Sequence, residues 1–250
     1  MKAEIISVGT EILMGQILNT DAQYLCQLMN RFGITVHHES SIGDNMERML
    51  EAIGLGASRC DLLILSGGLG PTADDITKNA VAQFIGVPMY RDAATADKIT
   101  AYYARTNRVA PPNSYQMADF PEGCILLDNP VGQAPGCVVS HKDCTIVVLP
   151  GPPHELKAMC EKSLTPFLEK HMDRKIESRM VRVFGMGESN VQYVLSDIIE
   201  AQTNPTIAPY CSPCEVTLRV TASCPLDGDA QALLEPTVQQ ICERLGDCVY

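Results

Sequence analysis

The segment Asp61-Leu62-Leu63-Ile64-Leu65-Ser66 runs directly into Gly67-Gly68-Leu69-Gly70-Pro71-Thr72. A near-continuous apolar run of this length is typical of a strand that is buried on both faces of a parallel sheet. A helix is predicted over residues 75–85, with Gly86 in the position that follows a last helical turn. A buried strand, a glycine-rich loop and a helix in this order predict an α/β fold.

Strands and helices also alternate on either side of this segment. Upstream, residues 5–8 and 34–36 are predicted as strands, and each precedes a helix with a polar cap, at Thr20 and at Asp44. Downstream, residues 94–105 are predicted as a helix and residues 106–120, with Pro111 and Pro112, as a long loop. Further strands are predicted at residues 124–127, 137–139 and 145–149, followed by a helix that begins at His154 and is interrupted at Pro166. This alternation predicts a mostly parallel sheet.

The composition changes at residues 171–178, a polar stretch that we interpret as a linker. Beyond it, strands are predicted at residues 180–184, 207–209, 216–222 and 248–250, and helices at residues 189–199 and 230–245. The sequence therefore predicts two domains, residues 1–172 and 178–250, of which the second is a small α+β module.

The overall composition limits the possible classes of protein. The 250 residues carry a formal charge of 19 − 30 = −11, and 46% of them are hydrophobic, which is a globular composition. No apolar run approaches the roughly 20 residues of a membrane span, and no export signal is recognised, so we expect a cytoplasmic protein. The acidic charge argues against nucleic acid as a partner.

Eleven cysteines are present, and we expect them to be reduced in the cytoplasm. The pair Cys211 and Cys214 has the C-x-x-C spacing of some metal and redox sites. A single such pair is a weak signal, and an incidental pair in a turn is the favoured interpretation. A metal or redox role stays open.

The glycine-rich loop is the strongest chemical signal. It lies between a strand and a helix start, where backbone N–H groups and the helix dipole favour phosphate. Gly68, Gly70 and Ala73 even match the dinucleotide fingerprint, but the loop follows the third strand and Pro71 removes an N–H donor. Asp74 and Asp75 would repel a bare pyrophosphate, so a bridging divalent cation is indicated. A tight turn with an Asp helix cap is the alternative.

Acidic residues follow several predicted strands. Glu11, Asp44 and the pair Asp74 and Asp75 would converge where the strands end, which is where open α/β sheets bind ligands. Together they predict an oxygen-ligand metal site. The alternatives are a capping role for Asp44 and a merely solvated Glu11. Lys78 could bind phosphate or pair with an aspartate, and His154 could approach the site or lie on a helix surface.

Several longer blocks carry a resemblance to a known family. They are residues 8–20 (VGTEILMGQILNT), 43–45 (GDN), 67–77 (GGLGPTADDIT), 129–132 (NPVG), 134–136 (APG), 149–153 (LPGPP), 185–189 (GMGES) and 202–210 (QTNPTIAPY). In this order they resemble the competence/damage-inducible protein A (CinA) family over essentially the whole chain.

The resemblance implies a three-layer, mostly parallel α/β fold of the molybdopterin-binding type, followed by a small α+β KH-like domain. It also implies metal-dependent hydrolysis of ADP-ribose to AMP and ribose 5-phosphate, with magnesium, manganese or cobalt and with potassium. Family members commonly carry a further domain that deamidates nicotinamide mononucleotide. The sequence ends at Tyr250 without that domain, so we do not expect deamidation here. The KH-like part lacks a G-x-x-G loop and residues 179–250 carry 4 − 9 = −5, so RNA binding is not expected.

The resulting hypothesis assigns roles to particular residues. Asp44 and Asp75 are expected to be catalytic and to hold the metal together with Glu11 and Asp74. Substrate contacts are expected at Gly9, Thr10, Asn19, Gly67, Gly68, Gly70, Thr72, Lys78, Asn129 and Gly151. A homodimer is expected. Alternative functions are a pyrophosphatase of FAD or another dinucleotide, a non-hydrolytic molybdopterin-binding protein, and a scaffold with a vestigial site.

Overall fold

Strands and helices alternate through most of the chain. The computed structural model describes residues 1–105, 107–171 and 174–250. The chain divides into two compact units, one of residues 1–30 and 34–171 and one of residues 31–33 and 172–250. Among the described residues, no helix has the length and apolar character needed to cross a membrane.

The strands before residue 172 are β1 (Lys2–Val8), β2 (Thr35–Ile42), β3 (Leu62–Ser66), β4 (Met89–Arg91), β5 (Asp119–Pro121), β6 (Ile125–Leu127), β7 (Gly136–His141) and β8 (Cys144–Leu149). The helices are α1 (Thr10–Leu13), α2 (Thr20–Arg31), α3 (Met46–Ala57), α4 (Thr77–Ile85), α5 (Ala93–Ala104), α6 (Pro153–Met159) and α7 (Thr165–His171). A 3-10 helix spans Pro112–Ala118, and a π-helical segment, Cys160–Leu164, joins α6 to α7.

The six-stranded sheet has the order β2-β1-β3-β8-β7-β6. Strands β2, β1, β3 and β8 are parallel, whereas β7 and β6 are antiparallel to their neighbours. Strands β4 and β5 form a separate two-stranded pair. The mostly parallel sheet that the sequence predicts is therefore confirmed.

Both faces of the central strands are buried. On one face, Ile6 and Leu65 belong to a core that includes Met49 and Ile53 of α3 and residues of α4 and α5. The alternate positions in the strands are equally inaccessible: Ile5, Ile64 and Val147 have no solvent exposure. Burial on both faces explains why β3 is apolar from Leu62 to Leu65 and not alternating.

Three local predictions differ from the structure. Helix α2 begins at Thr20, and Asn19 caps it, since its Oδ1 accepts the N–H of Ala22. The loop expected over residues 106–120 contains the 3-10 helix and the start of β5 in its described part. The interruption expected at Pro166 takes the form of the π-helical segment Cys160–Leu164, which ends two residues before Pro166.

The second unit is built on a three-stranded antiparallel sheet. Its elements are β9 (Arg174–Phe184), α8 (Glu188–Val194), α9 (Ser196–Ala201), β10 (Thr206–Ser212), β11 (Glu215–Pro225), α10 (Ala230–Leu245) and a 3-10 turn, Gly246–Cys248. The strand order is β10-β11-β9, and alternate residues of β11, from Val216 to Cys224, are buried. The small α+β module is confirmed.

Here too some boundaries differ from those predicted. The polar stretch expected as a linker over residues 171–178 already belongs to β9 from Arg174 onward, while residues 172 and 173 lie outside the described residues. The last predicted strand is reduced to one bridge between Val249 and Val183. Cys211 and Cys214 lie at the β10–β11 turn, exposed and without a disulfide.

Candidate active site

The candidate site is a cleft at the carboxyl ends of the parallel strands. Its volume is about 710 Å³, and the segments that follow β1, β2, β3 and β8 all contribute to its walls. The predicted residues that line it are Gly9, Glu11, Asp44, Gly67, Gly68, Gly70, Thr72, Asp74, Asp75 and Gly151. The parallel sheet thus brings together segments that are far apart in the sequence.

Asp44 is fixed by the first residue of α1. Its Oδ2 accepts the backbone N–H of Thr10 at 3.0 Å and the Thr10 hydroxyl at 2.8 Å. The helix-capping alternative for Asp44 is wrong, because Asn45 caps α3 by accepting the N–H of Arg48. Thr10 itself does not line the cleft. Its place is beside Asp44, whose second carboxylate oxygen, Oδ1, has no hydrogen bond within the described residues.

Asp75 is fixed in a similar way by its own loop. Its Oδ2 accepts the backbone N–H of Thr72 at 2.9 Å and also the Thr72 hydroxyl. Ile76 occupies the N-cap position of α4 without a side-chain hydrogen bond, so Asp75 is not a helix cap. The neighbouring Asp74 is exposed. Thr72 therefore holds the carboxyl group of Asp75 within its own loop.

The glycines allow the loop to lie close to the end of β1. Gly67 has a φ of 104°, and a Cβ there would collide with the carbonyl oxygen of Val8. The N–H of Gly67 donates to Leu149 at 3.0 Å, so it is already engaged. Within the described residues, the N–H groups of Gly68, Leu69 and Gly70 have no acceptor in the protein. These three amides are the available donors for an anion.

Two side chains that do not line the cleft hold this loop. Gln116, in the 3-10 helix, donates through Nε2 to the carbonyl oxygens of Gly70 at 2.9 Å and Thr72 at 2.6 Å. Lys78 is 4% exposed and donates to the carbonyl oxygens of Gln116 and Met117, at 3.2 and 2.8 Å. Burial lowers the pKa of Lys78 to about 8. Lys78 therefore supports the loop through Gln116 and does not line the cleft.

Two predicted substrate-binding amides also lie outside the cleft lining. Asn19 donates to Ser7 and Glu39 and caps α2, and so ties the helix to the sheet. Asn129 is 8% exposed; it donates to Ala134 and Glu155 and accepts two backbone N–H groups. In both side chains the hydrogen-bonding groups are engaged inside the protein, which makes them supports of the surrounding loops.

The cleft also contains groups that were not predicted. Glu155, at the start of α6, lines it and accepts a hydrogen bond from Asn129 at 2.7 Å. Glu155 follows β8 as Asp44 follows β2. It could therefore have been predicted from the rule that open α/β sheets bind ligands at the carboxyl ends of their strands. His154 instead has an exposed side chain. Ile17, Tyr102, Met117 and Val131 add apolar surface.

The charge of the cleft is strongly one-sided. Five carboxylates line it, from Glu11, Asp44, Asp74, Asp75 and Glu155, and no lysine, arginine or histidine does so among the described residues. The described residues contain no group of three or more acidic, histidine or cysteine side chains placed to hold a metal ion by themselves. A cation would therefore complete its coordination with water and ligand oxygens, which is the usual arrangement for magnesium.

Comparisons with known proteins agree with this architecture. Residues 4–170 match a family model described as a probable molybdopterin binding domain, and residues 178–250 match one described as the KH domain of damage-inducible protein CinA. A crystal structure of the protein CinA with unknown function from Thermoplasma acidophilum is 30% identical, with a TM-score of 0.62. The match covers 67% of this chain and 99% of that one. The chain belongs to the CinA family.

Matches to curated relatives show what share of a family member's length this chain covers. A competence-damage inducible protein of Clostridium novyi (strain NT) is 44% identical over all 250 residues of this chain, which cover 60% of that protein. One of Caldicellulosiruptor bescii is 43% identical and is covered to 61%. The chain thus spans about three fifths of the length of the CinA relatives that it matches.

Proposed function

We propose that the cleft hydrolyses the pyrophosphate bond of ADP-ribose to give AMP and ribose 5-phosphate. The observation that carries this proposal is the charge pattern: the cleft is lined by five carboxylates, by three residues whose backbone amides have no acceptor in the protein, and by no basic side chain among the described residues. A pyrophosphate would be repelled by these acids unless a divalent cation neutralised it. The volume of about 710 Å³ is in the range of small-molecule sites.

The carboxylate oxygens of the cleft are the atoms that would hold a divalent cation. Asp44 and Asp75 each use Oδ2 for hydrogen bonds inside the protein and keep Oδ1 for a ligand. Magnesium, manganese or cobalt would be held by these oxygens, with Glu11 and Asp74 as additional carboxylates. When bound, the cation supplies charge neutralisation at the phosphoryl oxygens. Potassium is proposed as an accessory ion on the family resemblance alone.

The protein's own groups then bind and orient the substrate. The amides of Gly68, Leu69 and Gly70 would donate to one phosphate, as amides at a loop before a helix do in many phosphate sites. Thr10 and Thr72 hold Asp44 and Asp75 in place, so that little reorganisation is needed on binding. Glu155, Glu11 and Asp74 are the remaining carboxylates that could accept a proton from the attacking water.

Product analysis tests the proposal. ADP-ribose is incubated with metal-stripped protein and then with magnesium, manganese or cobalt, with and without potassium, and the products are separated by chromatography. We expect AMP only when metal is added, and none from Asp75→Asn. Asp97→Asn, which changes an exposed acid of α5 outside the cleft lining, is the control and should retain activity.

A second candidate follows from the family model matched by residues 4–170, whose description names molybdopterin binding. In this alternative the same amides and cation would hold the phosphate of a pterin without hydrolysing it. The experiment separates the candidates by including FAD and a molybdopterin sample. Cleavage of FAD in preference to ADP-ribose would change the substrate assignment. Pterin binding without product from any dinucleotide would contradict the hydrolase proposal.

A further inference from the structure

A pair of exposed cysteines stands at the turn between β10 and β11 in the second unit. Ser212 pairs with Glu215, so Pro213 and Cys214 form a two-residue turn, and Cys211 lies in β10 just before it. Of the eleven cysteines, these two are exposed, and the other nine are buried or partly buried. Cysteine is among the residues most often buried in proteins. The two thiols at this turn are therefore the most accessible ones to a ligand from solution.

The backbone at Cys214 adopts a conformation that cysteine does not favour. Its φ is 68°, in the left-handed region that residues with a Cβ rarely occupy. Glycine and asparagine are the usual residues at a turn position of this kind. Since the backbone gives no reason for a cysteine here, its presence points to the thiol group.

The two cysteines line the same cavity. Its volume is about 420 Å³, and residues 184–188, from the end of β9 to the start of α8, also contribute to it. Two cysteines that are separated by two residues have the spacing of paired ligands in structural zinc sites. Thiolates are ligands that zinc favours over the hard cations magnesium and calcium. The turn therefore offers half of a four-sulfur zinc site.

Further donors from the same chain do not complete such a site. Glu215 lines the cavity, but its Oε1 accepts the hydroxyl of Thr217 at 2.9 Å and its Oε2 accepts the hydroxyl of Tyr250. Glu188 also lines the cavity, yet the described residues contain no group of three or more acidic, histidine or cysteine side chains placed to hold a metal ion. A zinc ion at this turn therefore needs ligands from another molecule.

We propose that Cys211 and Cys214 from two copies of this chain together bind one zinc ion. Structural zinc is held by four ligands in a tetrahedron, and four cysteines are a common set. A two-fold axis through the ion would relate the two turns, so that each copy contributes the same pair of sulfurs. The thiols lose their protons to the solvent on binding. The site is thus incomplete in one chain and complete in two, and it uses no residue of the cleft.

The test uses cobalt as a spectroscopic substitute for zinc. Metal-free protein, kept reduced by a phosphine, is titrated with cobalt, and the near-ultraviolet charge-transfer band from sulfur to cobalt is recorded. The band should saturate at about one cobalt per two chains and should vanish when zinc displaces the cobalt. Cobalt bound by the carboxylates of the cleft has no sulfur ligand and does not add to this band. Saturation at one cobalt per chain would overturn the shared site, and so would the absence of the band.

Variants and native mass spectrometry assign the site. The double variant with Cys211→Ser and Cys214→Ser should lose the band, whereas Cys242→Ser, which changes a partly buried cysteine of α10, is the control and should retain it. Circular dichroism checks that both variants are folded. With zinc added, native mass spectrometry should show dimers of the wild-type chain that carry one zinc more than any species of the double variant. A band that persists in the folded double variant, or the extra zinc on a monomer, would overturn the proposal.

Discussion

Two groups of side chains hold the glycine-rich loop, residues 67–75: one group lines the cleft and the other does not. On the cleft side, Asp75 is half-buried, bound to Thr72 within its own loop, and open to a ligand through Oδ1. Gln116 and the buried Lys78, which do not line the cleft, hold the loop through backbone carbonyl groups. Lys78 is one helical turn from Asp75, yet it does not reach the cleft lining. The residues proposed for catalysis and the residues that support the loop are therefore different ones.

The largest effect is expected in a double-mutant cycle on Asp44 and Asp75, the two acids proposed to hold the cation. Each change to asparagine should lower turnover of ADP-ribose at least about 100-fold, because each removes a charged ligand of the proposed cation. The double variant should lose no more than about 10-fold beyond either single variant, since both residues serve one cation. Steady-state rates across a range of metal concentrations provide the measurement. Fully multiplicative losses would indicate two independent roles.

The side chains that support the loop from outside the cleft lining predict a smaller effect. Gln116→Ala removes the donor shared by the carbonyl oxygens of Gly70 and Thr72, so the loop loses its support while its own residues stay intact. We expect kcat to fall between about 10- and 100-fold, with KM changed less. Asn113→Ala is the graded control, because Asn113 donates to Pro71 alone in this loop. If both variants behaved alike, Gln116 would have no special role.

These differences show what the sequence could and could not predict. The parallel strands, and with them Asp44 and Asp75 at the strand ends, follow from apolar runs and their order. The sequence blocks that resemble the CinA family predict substrate contacts at Asn19, Asn129 and Lys78. In the structure, the polar groups of these side chains bind the protein itself. The sequence pattern predicts where a strand ends. The direction of a side chain depends on hydrogen-bond acceptors that lie far away in the sequence. For Lys78 these are 38 and 39 residues away.

Thr10 tests how strongly the support of Asp44 matters. Thr10→Val removes the hydroxyl that donates to Asp44 but keeps the backbone N–H, so one of the two hydrogen bonds remains. A loss of about 5-fold in turnover is expected, smaller than that of removing the carboxylate itself. Thr10→Ser retains the hydroxyl and should recover the activity. A failure of serine to restore the rate would point instead to the lost methyl group.

The smallest expected effect on turnover concerns an acid outside the cleft lining. Asp21 of α2 is 8% exposed, and its Oδ1 has no partner among the described residues. Burial raises its pKa to about 6, and Lys157 opposes this only in part. The folded state therefore binds the proton more tightly than the unfolded state does. The stability associated with Asp21 is greatest below about pH 4 and is lost as the pH rises to about 6.

Asp21→Asn removes this titration. At about pH 8 the variant should gain about 1–2 kcal/mol in unfolding free energy, and the gain should vanish near pH 4, as measured by urea denaturation at both pH values. Turnover of ADP-ribose should stay unchanged, because Asp21 does not line the cleft. The contrast with Asp75 is then complete: the more deeply buried acid affects only stability, and the half-buried acid affects only activity. A loss of turnover in Asp21→Asn would show that the two acids are not separated in this way.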